Sequence, residues 1–62
     1  SKDIWERFVN ADPAEIMARR AEYGEEGWAA YLKALYRAAP DDAGRRMVRA
    51  GGVTEAQSWE ES

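Results

Sequence analysis

The stretch that decides the fold is residues 12–40, DPAEIMARRAEYGEEGWAAYLKALYRAAP. It opens with a helix-start signal, because Asp12 is a favoured N-cap and Pro13 suits the first helical position. It closes at Pro40, which disfavours helical backbone at the residue before it. Between these ends the apolar residues recur at spacings of three and four, which predicts helix.

Two glycines inside this stretch leave two interpretations open. A single helix over residues 13–39 keeps its apolar residues in phase, but it must hold Gly24 and Gly27 at a cost of about 1 kcal/mol each against alanine. Two helices that meet at Gly24 would use this glycine as a left-handed C-cap. The break is favoured, because Arg19 and Arg20 would then lie near the negative end of one helix and acidic residues near the positive start of the next.

The flanking sequence predicts three further helices. Ser1 caps a first helix whose apolar face consists of Ile4, Trp5, Phe8 and Val9. Either Asp41 or Asp42 caps a helix that ends near Ala50, and Thr54 and Gln57 have capping-box spacing for a short last helix over residues 54–59. No strand-like alternation occurs in the sequence. The chain is therefore predicted to be one all-α domain over residues 1–62, a compact bundle of four to five short helices.

The composition argues against catalysis. The 62-residue chain contains no Cys and no His, which removes the usual nucleophile–base pairs, disulfides and the commonest transition-metal ligands. Its carboxylates fall at predicted helix ends, where they act as caps, and a chain this short can hardly build a pocket that shifts their pKa. We expect neither an enzyme nor a metal or cofactor site.

Charge and hydropathy limit the partners. The net charge is −3. Gly52-Val53-Thr54 resembles the turn of a helix-turn-helix DNA reader. The segment after this turn contains glutamates and no Lys or Arg, so it would be repelled by phosphates. We therefore expect no nucleic-acid binding. The sequence shows no signal peptide and no apolar run long enough for a membrane span, so a soluble protein, cytoplasmic or recombinant, is expected.

Helical spacing sorts the residues of 12–40 into faces. One stripe is expected to form the core: Trp28, Tyr31, Leu32, Leu35 and Ala39. Nearer the start, Ala14, Met17, Ala18 and Ala21 form a small-residue face that can pack against the other helices. The opposite side contains Ile16, Arg20 and Tyr23 with Arg19 at its edge. This side is either covered in the middle of a bundle or exposed as a partner surface, and its tyrosine, arginines and aliphatic residue have hot-spot composition.

A second group of candidate partner-binding residues lies on the helix that follows Pro40. Arg45, Arg46 and Arg49 share one face, opposite Ala43, Met47 and Val48. Such arginines either remain solvated and pair with local acids or recognise a carboxylate or phosphate on a partner.

Two resemblances bear on function. Gly27, Tyr31, Ala34-Leu35 and Pro40 resemble the second helix of a tetratricopeptide repeat, which implies helical-hairpin packing. In length, in the absence of Cys and His and in its helix-start signals, the whole chain resembles a designed helical mini-binder, which implies a protein partner. We therefore expect a small helical protein-binding module that uses aromatic and arginine residues. The alternatives are a small bacterial or phage accessory or regulatory protein, or an obligate homodimer whose second subunit completes the core.

Overall fold

The computed structural model describes residues 2–51, and these residues form three helices. Helix α1 spans Lys2–Val9, α2 spans Pro13–Ala38, and α3 spans Asp42–Gly51. The all-α prediction is confirmed, but the prediction of four to five short helices is wrong for this range, because α2 continues beyond Gly24 after only one non-helical residue. The predicted last helix, over residues 54–59, and the Ser1 cap lie outside the described residues.

The helix ends follow the predicted signals. At the start of α2 the Asp12 N–H donates to Glu15 Oε1 at 3.5 Å, and Pro13 is the first helical residue. Ala39, directly before Pro40, is extended with φ −60° and ψ 134°, as expected for a residue that precedes proline. Of the two candidate caps for α3, it is Asp41 whose Oδ1 accepts the Gly44 N–H, at 2.9 Å.

Helix α2 turns sharply at Gly24. This residue has φ 73° and ψ 176°, whereas its neighbours are helical. A straight helix of this length would measure about 39 Å, but the longest dimension of the molecule is 30 Å. The predicted break is therefore present, although the conformation is the mirror image of extended backbone and not the left-handed α C-cap that the sequence suggested.

Gly27 allows the chain to pack tightly after the turn. A Cβ atom at Gly27 would lie 3.0 Å from the Cβ of Tyr23, whereas Cβ atoms four residues apart in a regular helix are about 5–6 Å apart. Gly24 thus allows the backbone conformation of the turn, whereas the missing side chain at Gly27 leaves room for the close approach of Tyr23.

The core lies between the second half of α2 and the two other helices. Its buried side chains are Leu32, Leu35 and Tyr36 from α2 and Val48 from α3. Five partly buried residues pack against them: Ile4, Trp5, Phe8, Trp28 and Tyr31. The predicted core stripe is therefore confirmed, with Ala39 also buried, whereas Val9 on α1, which the spacing places on the core face, is exposed.

An aromatic side chain of α1, Trp5, reaches α3. The Trp5 ring lies where a side chain at Gly44 would stand, since a Cβ atom there would be 2.9 Å from Trp5 Cη2. Gly44 is buried, and it allows the indole of α1 to reach the surface of α3.

Leu35→Ala is expected to lower the free energy of unfolding by about 2–5 kcal/mol, because Leu35 is fully buried and truncation leaves a cavity. Met17→Ala is the matched control, since Met17 is 65% exposed and should lose less than about 0.5 kcal/mol. Urea denaturation followed by circular dichroism measures both. Equal losses in the two variants would contradict the assigned core.

Gly24→Ala is expected to lower the free energy of unfolding by about 1–3 kcal/mol, because an L-residue is strained at positive φ. No atom lies within 4 Å of the Cβ that would be added, so the penalty is one of backbone conformation alone. A synthetic chain with Gly24→D-Ala is the control. A D-residue adopts this conformation without strain, so its stability should equal or exceed that of the parent by up to about 1 kcal/mol. If the L-Ala variant were as stable as the D-Ala variant or more stable, the turn at Gly24 would be absent in solution.

Candidate functional site

The turn at Gly24 brings together aromatic rings from both halves of α2. The rings of Tyr23 and Tyr31 meet edge to face with their centroids 5.5 Å apart, and Trp28 lies 5.3 Å from Tyr31. In a straight helix, residues eight positions apart are separated by about 12 Å along the axis. The contact between the two tyrosines is therefore a product of the turn.

Two arginines before the turn contact rings after it. Arg19 Nη1 donates to the Tyr31 hydroxyl at 3.1 Å, and the guanidinium of Arg20 lies 5.9 Å from the centre of the Trp28 ring. Arg19 also lies 3.9 Å from a carboxylate oxygen of Glu15, one helical turn earlier. The five residues Arg19, Arg20, Tyr23, Trp28 and Tyr31 are called the aromatic–arginine cluster below.

The cluster is open to solvent on one side. Tyr23 is 43% exposed and Arg20 is exposed, whereas Arg19, Trp28 and Tyr31 are partly buried beneath them. The Trp28 Nε1 atom is buried and has no hydrogen-bond partner in the described range. Contacts within the chain therefore already hold the exposed Tyr23 ring and the Arg20 guanidinium in position. Side chains held in this way lose less conformational entropy when they bind a partner.

The small-residue face of the first half of α2 is exposed, contrary to the prediction from spacing. The spacing predicts that Met17 and Ala21 pack against the other helices, but both are exposed, as are Ala14 and Ala18. Ile16 and Arg19 on the other side are partly buried. The reason is the turn at Gly24, which directs the side of α2 that contains Arg19 and Tyr23 towards Tyr31.

A groove runs between α1 and α2 next to the cluster. One part, a depression open to solvent with a volume of about 440 Å³, is lined by Asp3, Ile4, Arg7, Arg19, Tyr23 and Tyr31. A second part of about 480 Å³ shares Asp3, Arg7 and Arg19 and extends along Glu6, Glu15 and the loop residues Asn10 and Ala11. Sequence reasoning identified Arg19 and Tyr23 but missed Arg7, whose only signal was its position one helical turn after the apolar Ile4.

The three arginines of α3 do not form one site. Arg45 makes a hydrogen-bonded ion pair with Asp42, and this bond, together with the charge of Arg45, lowers the pKa of the Asp42 carboxyl. Arg49 Nη2 donates to the Tyr36 hydroxyl at 2.9 Å, and its guanidinium lies 5.6 Å from the centre of the Tyr36 ring. Arg46 is exposed. Two of the three guanidiniums are thus engaged within the chain.

Three further findings concern relatives and other site types. No protein-family model, curated protein or solved structure matches the chain. Within residues 2–51, no three metal-ligating side chains come together in a group that could hold a metal ion. No helix in the same range has both the length and the apolar character needed to cross a bilayer.

Arg49→Met is expected to cost about 1–2 kcal/mol of stability, because it removes a charge-assisted hydrogen bond to Tyr36 while it keeps an apolar stem. Arg46→Met is the control and should change stability by less than about 0.5 kcal/mol, since Arg46 is exposed. Thermal and urea denaturation measure both variants. A loss on Arg46→Met as large as that on Arg49→Met would contradict the different roles of the two residues.

Proposed function

We propose that the chain is a small helical protein-binding module that engages its partner through the aromatic–arginine cluster. The observation that carries the proposal is the half-exposed Tyr23 ring, which rests on Tyr31 with Arg19 and Arg20 beside it. Tyrosine, tryptophan and arginine dominate binding hot spots because they combine large contact area with directional hydrogen bonds. The resemblance to designed helical mini-binders supports the same function.

The residues on the first half of α2 divide into contacting and supporting groups under this proposal. Tyr23 and Arg20 are exposed and contact the partner, whereas Arg19 and the partly buried Ile16 hold the surface in place. On α3, Arg45 and Arg49 are held by Asp42 and Tyr36, and Arg46 is exposed, so the proposed surface leaves out all three arginines of this helix. Of the predicted partner-binding residues, the proposed contact surface therefore keeps Tyr23 and Arg20.

A second copy of the chain is the alternative partner. The observation that favours it is the exposure of Met17, 65%, on the outer face of α2 beside three exposed alanines. Sedimentation or light scattering over a range of concentrations distinguishes the alternatives. A dimer that Met17→Glu dissociates would support self-association, whereas a monomer would support a different protein as partner.

The test of the proposed function is site-directed photocrosslinking with the full chain. A photoreactive phenylalanine derivative at position 23 should crosslink to the partner in a cell extract. The same group at Met47, which is 55% exposed on α3, is the control and should not crosslink.

Binding of the captured partner is then measured against single variants. Tyr23→Ala and Arg20→Ala are each expected to weaken it by about tenfold or more, equivalent to about 1.4 kcal/mol. The melting temperature should fall only modestly, by about 4–8 °C, since each variant loses one ring contact within the chain, Tyr23 on Tyr31 or Arg20 on Trp28. A large fall in melting temperature with unchanged affinity would show that these residues support the fold and do not bind the partner.

A further inference from the structure

The groove between α1 and α2 has a charge gradient along its length. The part next to the tyrosines combines two guanidiniums, Arg7 and Arg19, with the single carboxylate of Asp3. The part next to the α1–α2 loop adds the carboxylates of Glu6 and Glu15 to the same shared residues. The lining is therefore net positive at the tyrosine end and net negative at the loop end.

Arg7 and Arg19 differ in what holds them. Arg19 bonds to the Tyr31 hydroxyl and lies near Glu15. Arg7 is exposed, lines both parts of the groove, and has no hydrogen bond or ion pair with another residue in the range 2–51. Its planar guanidinium is therefore available to form two parallel hydrogen bonds with a carboxylate that lies outside residues 2–51.

The tyrosine end also offers apolar contact area. Ile4 and Tyr31 are partly buried there, and the exposed Tyr23 ring stands against Tyr31. An apolar or aromatic side chain placed on these residues would lie in the same open part of the groove as Arg7. An apolar contact and a carboxylate-binding guanidinium thus occur side by side.

From this arrangement, and resting on the protein-binding function proposed above, we propose that the groove binds a short peptide segment of defined polarity. An apolar side chain of the segment packs on Tyr23 and Tyr31, and an adjacent carboxylate pairs with Arg7. A basic residue further along the segment faces Glu6 and Glu15. The order of charges along the groove fixes the direction in which the segment runs.

The test uses short random peptides displayed on phage, selected against the full chain. The enriched peptides should contain an acidic residue next to an apolar one, with a basic residue further along. Affinity of an enriched synthetic peptide is then measured by fluorescence anisotropy. Arg7→Glu should weaken binding by about tenfold or more, whereas the control Arg46→Glu on α3 should change it by less than about twofold.

A charge exchange completes the test. Replacing the acidic residue of the peptide with lysine should restore binding to the Arg7→Glu variant and abolish binding to the parent chain. Circular dichroism checks that the variant is folded, and Arg7→Gln serves as a milder second variant. Failure to enrich any peptide, or enriched peptides that bind the Arg7→Glu variant unchanged, would overturn the groove proposal.

Two experimental outcomes separate peptide binding in the groove from the proposed protein-binding function. A partner that crosslinks at position 23 and binds the Arg7→Glu variant normally would leave the protein-binding function standing and refute the groove as its site. Peptides that bind the parent chain but not the Arg7→Glu variant, when Arg20→Ala leaves partner binding unchanged, would support the groove and refute the proposed contact of Arg20 with the partner.

Discussion

The positive φ of Gly24 is the constraint on which the rest of the structure depends. It is the only positive φ in the range 2–51, and it bends a helix of 26 residues. Without it, Tyr23 and Tyr31 would be about 12 Å apart along a common axis and Arg19 could not reach the Tyr31 hydroxyl. The aromatic–arginine cluster is a consequence of one backbone conformation that glycine adopts without strain.

The helices and the core could be predicted because their signals are local. Asp12, Pro13 and Pro40 act on their own neighbours, and the spacing of Leu32 and Leu35 is a property of one helix. The outward face of the first half of α2 could not be predicted in the same way. Spacing shows which side chains share a face, but the direction in which that face points depends on ψ at Gly24, and a glycine in a sequence permits several values of ψ.

The candidate site could be predicted where it depends on residue type, but not where it depends on how the helices pack. The residue types of Tyr23, Arg19 and Arg20 identified a binding composition, and the structure places all three beside one another. Arg7 was missed because its role depends on the packing of α1 against α2. Arg45 and Arg49 were grouped with Arg46 because periodicity cannot show that Tyr36, thirteen positions before Arg49 and on another helix, accepts its hydrogen bond.

The aromatic–arginine cluster has a consequence for the order of events in folding. The hydrogen bond from Arg19 to Tyr31 closes a loop of twelve residues, whereas the contact of Trp5 with Gly44 joins the first and the last described helix. Closing the longer loop costs about 1 kcal/mol more in chain entropy, and short loops close within about 100 ns. The contacts around Gly24 can therefore form early and bring the two halves of α2 together before α1 and α3 pack. The residues proposed to bind a partner would then also serve as a folding nucleus.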